Sequence, residues 1–205
     1  MPTEMTRKQN IVEAAARLFS DKGFKDTSIA ELAAATGVAE GTIFYHFKTK
    51  ELLLVHILEE LHDQIHAEIK EFHEHETPGR GIDQVEETIS FYLYLAGKME
   101  DRFLLLHRHY PHRLAETNPE CRTSLEEIYS CIIDTFERAI LAGQQDGSIC
   151  SSSARKLALL VFTMVDGLVR FRHFNLYDAP ALHGEMISAC RRMLQPRSEE
   201  DTCTR

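Results

Sequence analysis

Two glycines cut the opening fifty residues into short helical pieces. In SDKGF, Gly23 ends a first amphipathic helix, in which Ile11, Ala14, Ala15 and Leu18 recur at helical spacing behind a T-x-x-Q box that starts at Thr6. Ser28 opens a second box, SIAE, with Ile29, Leu32 and Ala33 on one face. Gly37 ends that helix about nine residues later, since a helix stop often needs a residue that accepts positive φ. The segment that follows, TGVAEGTIFYHF at 36–47, holds few strong helix formers and four aromatic side chains. It leads directly into KTKELL, where Thr49 is placed to cap a long helix. Two short helices, a glycine turn and a third short helix are therefore fixed before any packing is considered.

Helical spacing persists beyond residue 50. Leu54, Leu58, Leu61, Ile65, Ile69 and Phe72 form one stripe, predicting a helix over roughly 50–75. TPGRG at 77–81 breaks the chain. The box DQVE, Asp83 to Glu86, predicts a helix over about 83–99, and another follows at about 101–110. Asn118 and Pro119 read as an N-cap and a first-turn proline for a helix running to about Gly143. GQQDGSICSSS is a polar loop, and helices over about 153–174 and 180–194 bring the total to about nine. Glycine and proline are scarce, at ten and six in 205 residues, and no alternating strand pattern persists, so the fold class is all-α. The expected domains are a head at 1–50, a larger helical domain at 51–195 and a disordered tail at 196–205.

Three short helices, with the second and third joined by a glycine turn, make a helix-turn-helix. In that arrangement the third helix enters the DNA major groove and its N-terminal residues face base edges. Gly41 removes a side chain where backbone must approach DNA closely. Thr42 offers a methyl to thymine and a hydroxyl to a base or phosphate. Ile43 and Phe47 look inward, toward Phe19, Phe24, Ile29, Leu32 and Val38, and Phe44 is in part a core residue. Tyr45 and His46 carry polar tips that reach phosphate oxygens. Lys48 and Lys50 flank the start of the long helix, itself a phosphate site through its dipole, and Thr27 and Ser28 are expected to act the same way at the second helix.

The formal charge of −9 looks wrong for a DNA binder, but its distribution removes the conflict. The first fifty residues carry +1 and the remainder −10, so the acidic part repels phosphates and helps orient the head toward them.

The string TRKQNIVEAAARLFSDKGFKDTSIAELAAATGVAEGTIFYHFKTKELLL resembles the N-terminal domain of the TetR family of bacterial transcriptional regulators. The likeness covers residues 6 to about 54. It rests on A-x-x-L-F-x-x-x-G-F, T-S-I-x-x-[LI]-A, G-V-x-x-G-T-[IL]-[FY]-x-[HY]-F and K-x-K-E-x-L. The resemblance implies about nine helices: three for DNA, the rest forming a larger domain that binds a small effector and dimerises. It also implies a phosphate contact for Tyr45. Two positions depart from the family pattern. Ala39 stands where Ser or Thr is frequent, so a helix cap and one phosphate contact are expected to be missing. Glu40 stands where a neutral or basic residue is common. It either accepts from cytosine N4 or simply favours the helix dipole.

The helix at 153–174 is apolar nearly all round, which marks it as deep in a core or shared with a partner. In the family the last two long helices of each subunit pack as a four-helix bundle. The resemblance therefore assigns Leu160, Met164, Gly167, Leu168, Phe171, Leu182, Met186, Cys190 and Met193 to a homodimer interface. Asp166 is expected to pair with Arg170 one turn on, or to meet a ligand or the other subunit. A two-fold dimer reads a palindromic operator on double-stranded DNA. The stretch 91–114 is apolar on several faces, and helices of that region surround the effector in the family. The expected wall is Phe91, Tyr94, Leu95, Met99, Phe103, His107, Tyr110 and Phe136, and it suits a mostly apolar ligand.

Other function classes have little support in the residues. His62, His66 and His73 share one side of the long helix, and His107, His109 and His112 cluster, which keeps a metal-responsive regulator as an alternative. No metal is expected, because no cysteine or carboxylate completes a recognised motif. An enzyme is not expected either: there is no nucleophile elbow, phosphate loop or paired acid–base motif. The departures at Ala39 and Glu40 leave a non-DNA-binding interaction module as a further alternative. Five scattered cysteines without a CxxC pair read as reduced thiols, and no cofactor is expected. MPTEMTRKQN has no apolar run, and the longest apolar run, LALLVFTMV, is too short to span a bilayer. The expectation is a cytoplasmic protein with no membrane partner.

Overall fold

The stripes and breakers read above become ten α-helices and one 3-10 turn among the described residues, with no strand. The computed structural model describes residues 4–76 and 78–196. The helices are α1 Glu4–Asp21, α2 Ile29–Thr36, α3 Glu40–His46, α4 Lys50–Glu74, α5 Gly81–Lys98, α6 Glu100–His107, α7 His109–Ala115, α8 Pro119–Gln145, α9 Ala154–His173 and α10 His183–Leu194. The expected tail at 196–205 lies almost wholly outside the described residues. No described helix is long and apolar enough to cross a membrane.

The chain divides into two compact units, and the division does not fall at residue 50. The first unit takes the described residues through His66 together with Met99–Ile128. The second takes Ala67–Lys98 and the described residues from Tyr129 onward. In the first unit, Ile11, Ala15 and Phe19 of α1, Leu32 of α2, Ile43 of α3 and Leu53, Leu54 and Ile57 of α4 form one buried core. Leu105 of α6 joins that core, and Tyr110 and Leu114 of α7 pack against it. Each buried Leu, Ile or Phe side chain of that core contributes about 1.5–3 kcal/mol. The three-helix head therefore shares its core with α4, α6 and α7.

Two local readings shift for identifiable reasons. The single helix expected over 101–110 is two, broken at Arg108, whose ψ is 150°. A proline at 111 in a continuous helix would lose the bond to the His107 carbonyl and clash with it, whereas the first turn of a new helix accepts it. The break frees Arg108, whose guanidinium donates to the carbonyls of Ser20 and Asp21 at 2.7 and 2.9 Å, at the end of α1. In addition, α1 has already begun at Glu4, so Thr6 lies inside it and is not its cap.

In the second unit, α5 begins at Gly81, two residues before the expected DQVE box. Its first amides are capped from far along the chain. Gly81 N–H donates to Asp146 Oδ2 at 2.6 Å and Ile82 N–H to Ser148 Oγ at 3.1 Å. The Ser148 hydroxyl and the Gly81 and Ser148 amides hold the Asp146 carboxyl below its ordinary range. Asp83 instead meets Arg191 of α10 at 2.5 Å, as does Glu86. On α9, Leu157, Ala158, Val161, Val165 and Val169 face the core, while Leu160 and Met164 remain exposed. Asp166 accepts the hydroxyl of buried Tyr92 at 2.7 Å. Desolvation, followed by the Asp166 charge, pushes that phenol well above its ordinary pKa.

Candidate nucleic-acid interface and effector clefts

The turn between α2 and α3 works as its composition requires. Ser28 caps α2 by accepting from Glu31 N–H at 3.1 Å, and Gly37 takes φ 68° and ψ 18° at its end. α3 has Ala39 at its N-cap with no side-chain bond, as the missing serine or threonine implies. Ile43 and Phe47, one turn apart, are buried and anchor α3 in the head. The opposite face presents Glu40, Gly41, Phe44, Tyr45 and Lys48 outward, with Thr42 and His46 at its margins. Tyr45 is 74% exposed and Phe44 47%, so Phe44 belongs to the outer face more than to the core. An exposed face with two aromatic rings, a hydroxyl and a cation can serve thymine methyls, base edges and phosphates. Thr49 caps α4 by accepting from Leu52 N–H at 3.1 Å.

Two expected phosphate contacts are committed inside the protein. Thr27 is fully buried, and its hydroxyl donates to the carbonyls of Gly23 and Leu18 at 2.9 and 3.2 Å. The Lys50 ammonium donates to the carbonyls of Phe24 and Thr27 at 2.6 and 2.7 Å and lies 4.4 Å from the centre of the Phe24 ring. Burial lowers its pKa. The Gly23, Phe24 and Thr27 carbonyls lie in the α1–α2 loop, and the Thr27 hydroxyl and the Lys50 ammonium supply their donors. Lys50→Met is therefore expected to destabilise the fold by about 2 kcal/mol, the scale of hydrogen bonds to a charged group, in a denaturant titration. Lys8, unplaced by sequence reading, lies 5.6 Å from the centre of the Phe47 ring and puts a cation beside the end of α3. Only packing reveals it, because Lys8 lies on α1, far along the chain from that helix end.

Gly41 has no internal reason to be glycine. Its backbone is helical, and a Cβ there would meet nothing within 4 Å. Gly41→Ala is expected to stabilise the fold by about 0.5–1 kcal/mol while weakening duplex binding. A thermal melt and a DNA titration on the same sample check the opposite signs.

The expected effector wall does not close around one cavity. Phe103 and His107 are buried in the first unit, Met99 is half-buried there, and Tyr110 stacks on Phe24 at 3.9 Å between ring centres. Phe91, Leu95 and Phe136 belong to the second unit, around a void of about 10 Å³, room for a single water at most. Phe91 and exposed Tyr94 also line an open groove of about 480 Å³ with Glu68, Glu71, Glu76 and Glu87. The wall is split because the stretch 91–114 is interrupted at Met99, so the residues of α5 face the core of the second unit and those of α6 and α7 the core of the first.

The dimer residues divide similarly. Leu160, Met164 and Leu182 are 53%, 36% and 41% exposed, and Leu168, Phe171 and Met193 are half-buried. A Cβ at Gly167 would meet nothing. Met186 and Cys190, by contrast, are buried within the chain, where α10 packs on α9 and α5, so they cannot present themselves to another subunit. His107, His109 and His112 do not share one surface: His107 is buried, His109 is exposed, and His112 bonds the Leu106 carbonyl at 2.8 Å, while the His62 and His66 rings lie 6.1 Å apart. Among the described residues, no three His, Cys, Asp or Glu are grouped to hold a metal ion. No disulfide links Cys121, Cys131, Cys150 and Cys190, and burial pushes the Cys121 and Cys131 thiols up to about 11. Cys203 lies outside the described residues.

Residues 11–57 match the family described as bacterial regulatory proteins, tetR family. The chain is 28% identical over 207 residues to the HTH-type transcriptional regulator AcrR of Shigella flexneri, covering 94% of each. It superposes with TM-score 0.79 at 20% identity on a transcriptional regulator from Saccharomonospora viridis in complex with choline, covering 93% of this chain and 98% of that one. It also superposes with TM-score 0.72 at 21% identity on the transcriptional regulator FadR from Bacillus subtilis in complex with stearoyl-CoA, covering 91% and 99%. The matched residues 11–57 contain the exposed face of α3 and the core that holds it. Residues 11–57 thus carry the N-terminal domain of the TetR family of bacterial regulatory proteins, and over nearly its whole length the chain is similar to a transcriptional regulator.

Proposed function

We propose that this protein is a ligand-responsive transcriptional repressor that acts as a homodimer in the cytoplasm and releases a palindromic operator when a small effector binds its C-terminal helices. The outward face of α3, with Gly41, Thr42, Phe44 and Tyr45 on a helix anchored by Ile43 and Phe47 and with Lys48 just past its end, carries this reading. The roles divide by chemistry: Tyr45 and Lys48 position the head on phosphates, and Thr42 reads a base edge. The reading gives the chain no catalytic role.

The α9 face that exposes Leu160, Met164 and the bare Gly167 backbone supports a dimer, since a stripe of that kind is costly to leave in water. Leu160→Glu is expected to turn the dimer into a monomer in sedimentation and to abolish operator binding with little change in helix content.

The solved neighbours hold a small cation and a long acyl thioester, so the shared fold does not fix the effector. Helices α4 and α8 each have residues in both units, which gives effector binding a covalent path to the head. Effector binding then alters the spacing of the two reading helices and hence operator affinity. Selection from random duplex DNA tests the reading: a palindrome is expected, and no enrichment at low salt would overturn it. With operator in hand, the effector must bind more weakly by the same factor by which it weakens DNA binding.

A further inference from the structure

A second cleft, of about 310 Å³, shares no residue with the groove at Phe91 and Tyr94. Leu93 and Ala96 of α5 and Leu168 and Val169 of α9 give it an aliphatic floor, and Arg172 and His183 stand at its rim. Its volume lies at the low end for ligand pockets. Among the described residues no carboxylate lines it, in a chain with thirty-two Asp and Glu against twenty-three Lys and Arg. In the same unit, Arg138, Arg155 and Arg191 each hold carboxylates. The Arg172 guanidinium makes no hydrogen bond or ion pair to a described residue. Both its terminal nitrogens stand 3.6 Å from where a Cβ at Gly97 would lie, so the fork rests against the α5 backbone.

The last turn of α9 favours cations through its dipole, and that accounts for Arg172 and its neighbour His173. It does not account for His183, which belongs to the next helix, or for an apolar floor beneath a fork that pairs with no described residue.

We infer that this cleft binds a small aliphatic carboxylate, held bidentately by Arg172 beside His183, with its chain along Leu93, Ala96, Leu168 and Val169. The size suits a short acid and leaves no room for a long acyl chain joined to a nucleotide. The inference deepens the ligand-responsive reading by naming an effector class, and rests on that reading only for its link to DNA.

Calorimetric titration of the full-length protein with octanoate, 1-octanol and octylammonium separates headgroup from chain. Octanoate is expected to bind at least tenfold tighter than the other two. Arg172→Gln is expected to lose at least tenfold in octanoate affinity, about 1.4 kcal/mol. Leu93→Glu, at a half-buried floor position, is expected to reject octanoate and to favour octylammonium, and it keeps the test decisive if the arginine variant folds poorly. Arg138→Gln, whose partner is Glu76, serves as a control and is expected to change nothing. Equal binding of the three probes overturns the inference, as does unchanged octanoate affinity in both variants. Operator binding is measured on the same samples. Octanoate that binds without shifting operator affinity overturns the effector assignment, whereas a protein that binds octanoate but selects no operator overturns the repressor reading alone.

Discussion

Alanine at position 81 is expected to lower the melting temperature by roughly 6–12 °C, from an overpacking cost of about 3 kcal/mol in a chain of this size. The reason is contact between backbones. A Cβ on Gly81 would lie 1.9 Å from the Gly143 nitrogen and 2.2 Å from its Cα. A flexible side chain could swing away from such a clash, but helix backbone cannot. Gly143 is itself fixed, because its own Cβ position lies 2.4 Å from the Ile149 side chain. Moving α5 outward would also break the bonds from its first amides to Asp146 and Ser148. Gly184→Ala, where a Cβ would meet nothing within 4 Å, is the matched control and is expected to melt no lower than the parent. A Gly81→Ala protein that melts with the parent would mean that the α5–α8 junction is looser than described.

The second large effect is on DNA. Tyr45→Ala with Lys48→Ala is expected to weaken binding to every duplex alike. At about 1 kcal/mol per phosphate contact and four contacts per dimer, the loss is about 4 kcal/mol, or roughly 10³-fold. Removing Lys48 from both subunits should also reduce the slope of log affinity against log salt by about 2. Thr42→Ala should instead change the ranking of sequences at one position in each half-site. Sequence-blind losses for all three substitutions would contradict the division between positioning and reading.

Lys48 is exposed and Lys50 bonds backbone carbonyls, a difference that only packing creates. They stand two residues apart, both beside the start of α4, and in the sequence nothing separates a surface cation from one that turns back to bond Phe24 and Thr27 carbonyls. Thr27 raises the same difficulty, since a threonine before a helix can serve an outside phosphate or an inside carbonyl. Ser28, Gly37 and Thr49 were legible because caps and left-handed stops are set within four residues. Pro111 marks the α6–α7 break, but the apolar run on either side hides it from a periodicity argument. The cap on α5 was not legible at all: its partners lie 65 and 66 residues away.

The sequence by itself determined an all-α chain, the order and approximate bounds of its helices, and the head's family, because periodicity, capping and turn chemistry act over a few residues. Only the tertiary structure decided that the head shares its core with α4, α6 and α7, that the expected effector wall is split, and that Arg172, paired with no described residue, stands over an apolar cleft. Those outcomes depend on which faces meet across long stretches of chain. Burial there is a property of the partner surface as much as of the residue, and no local pattern records it.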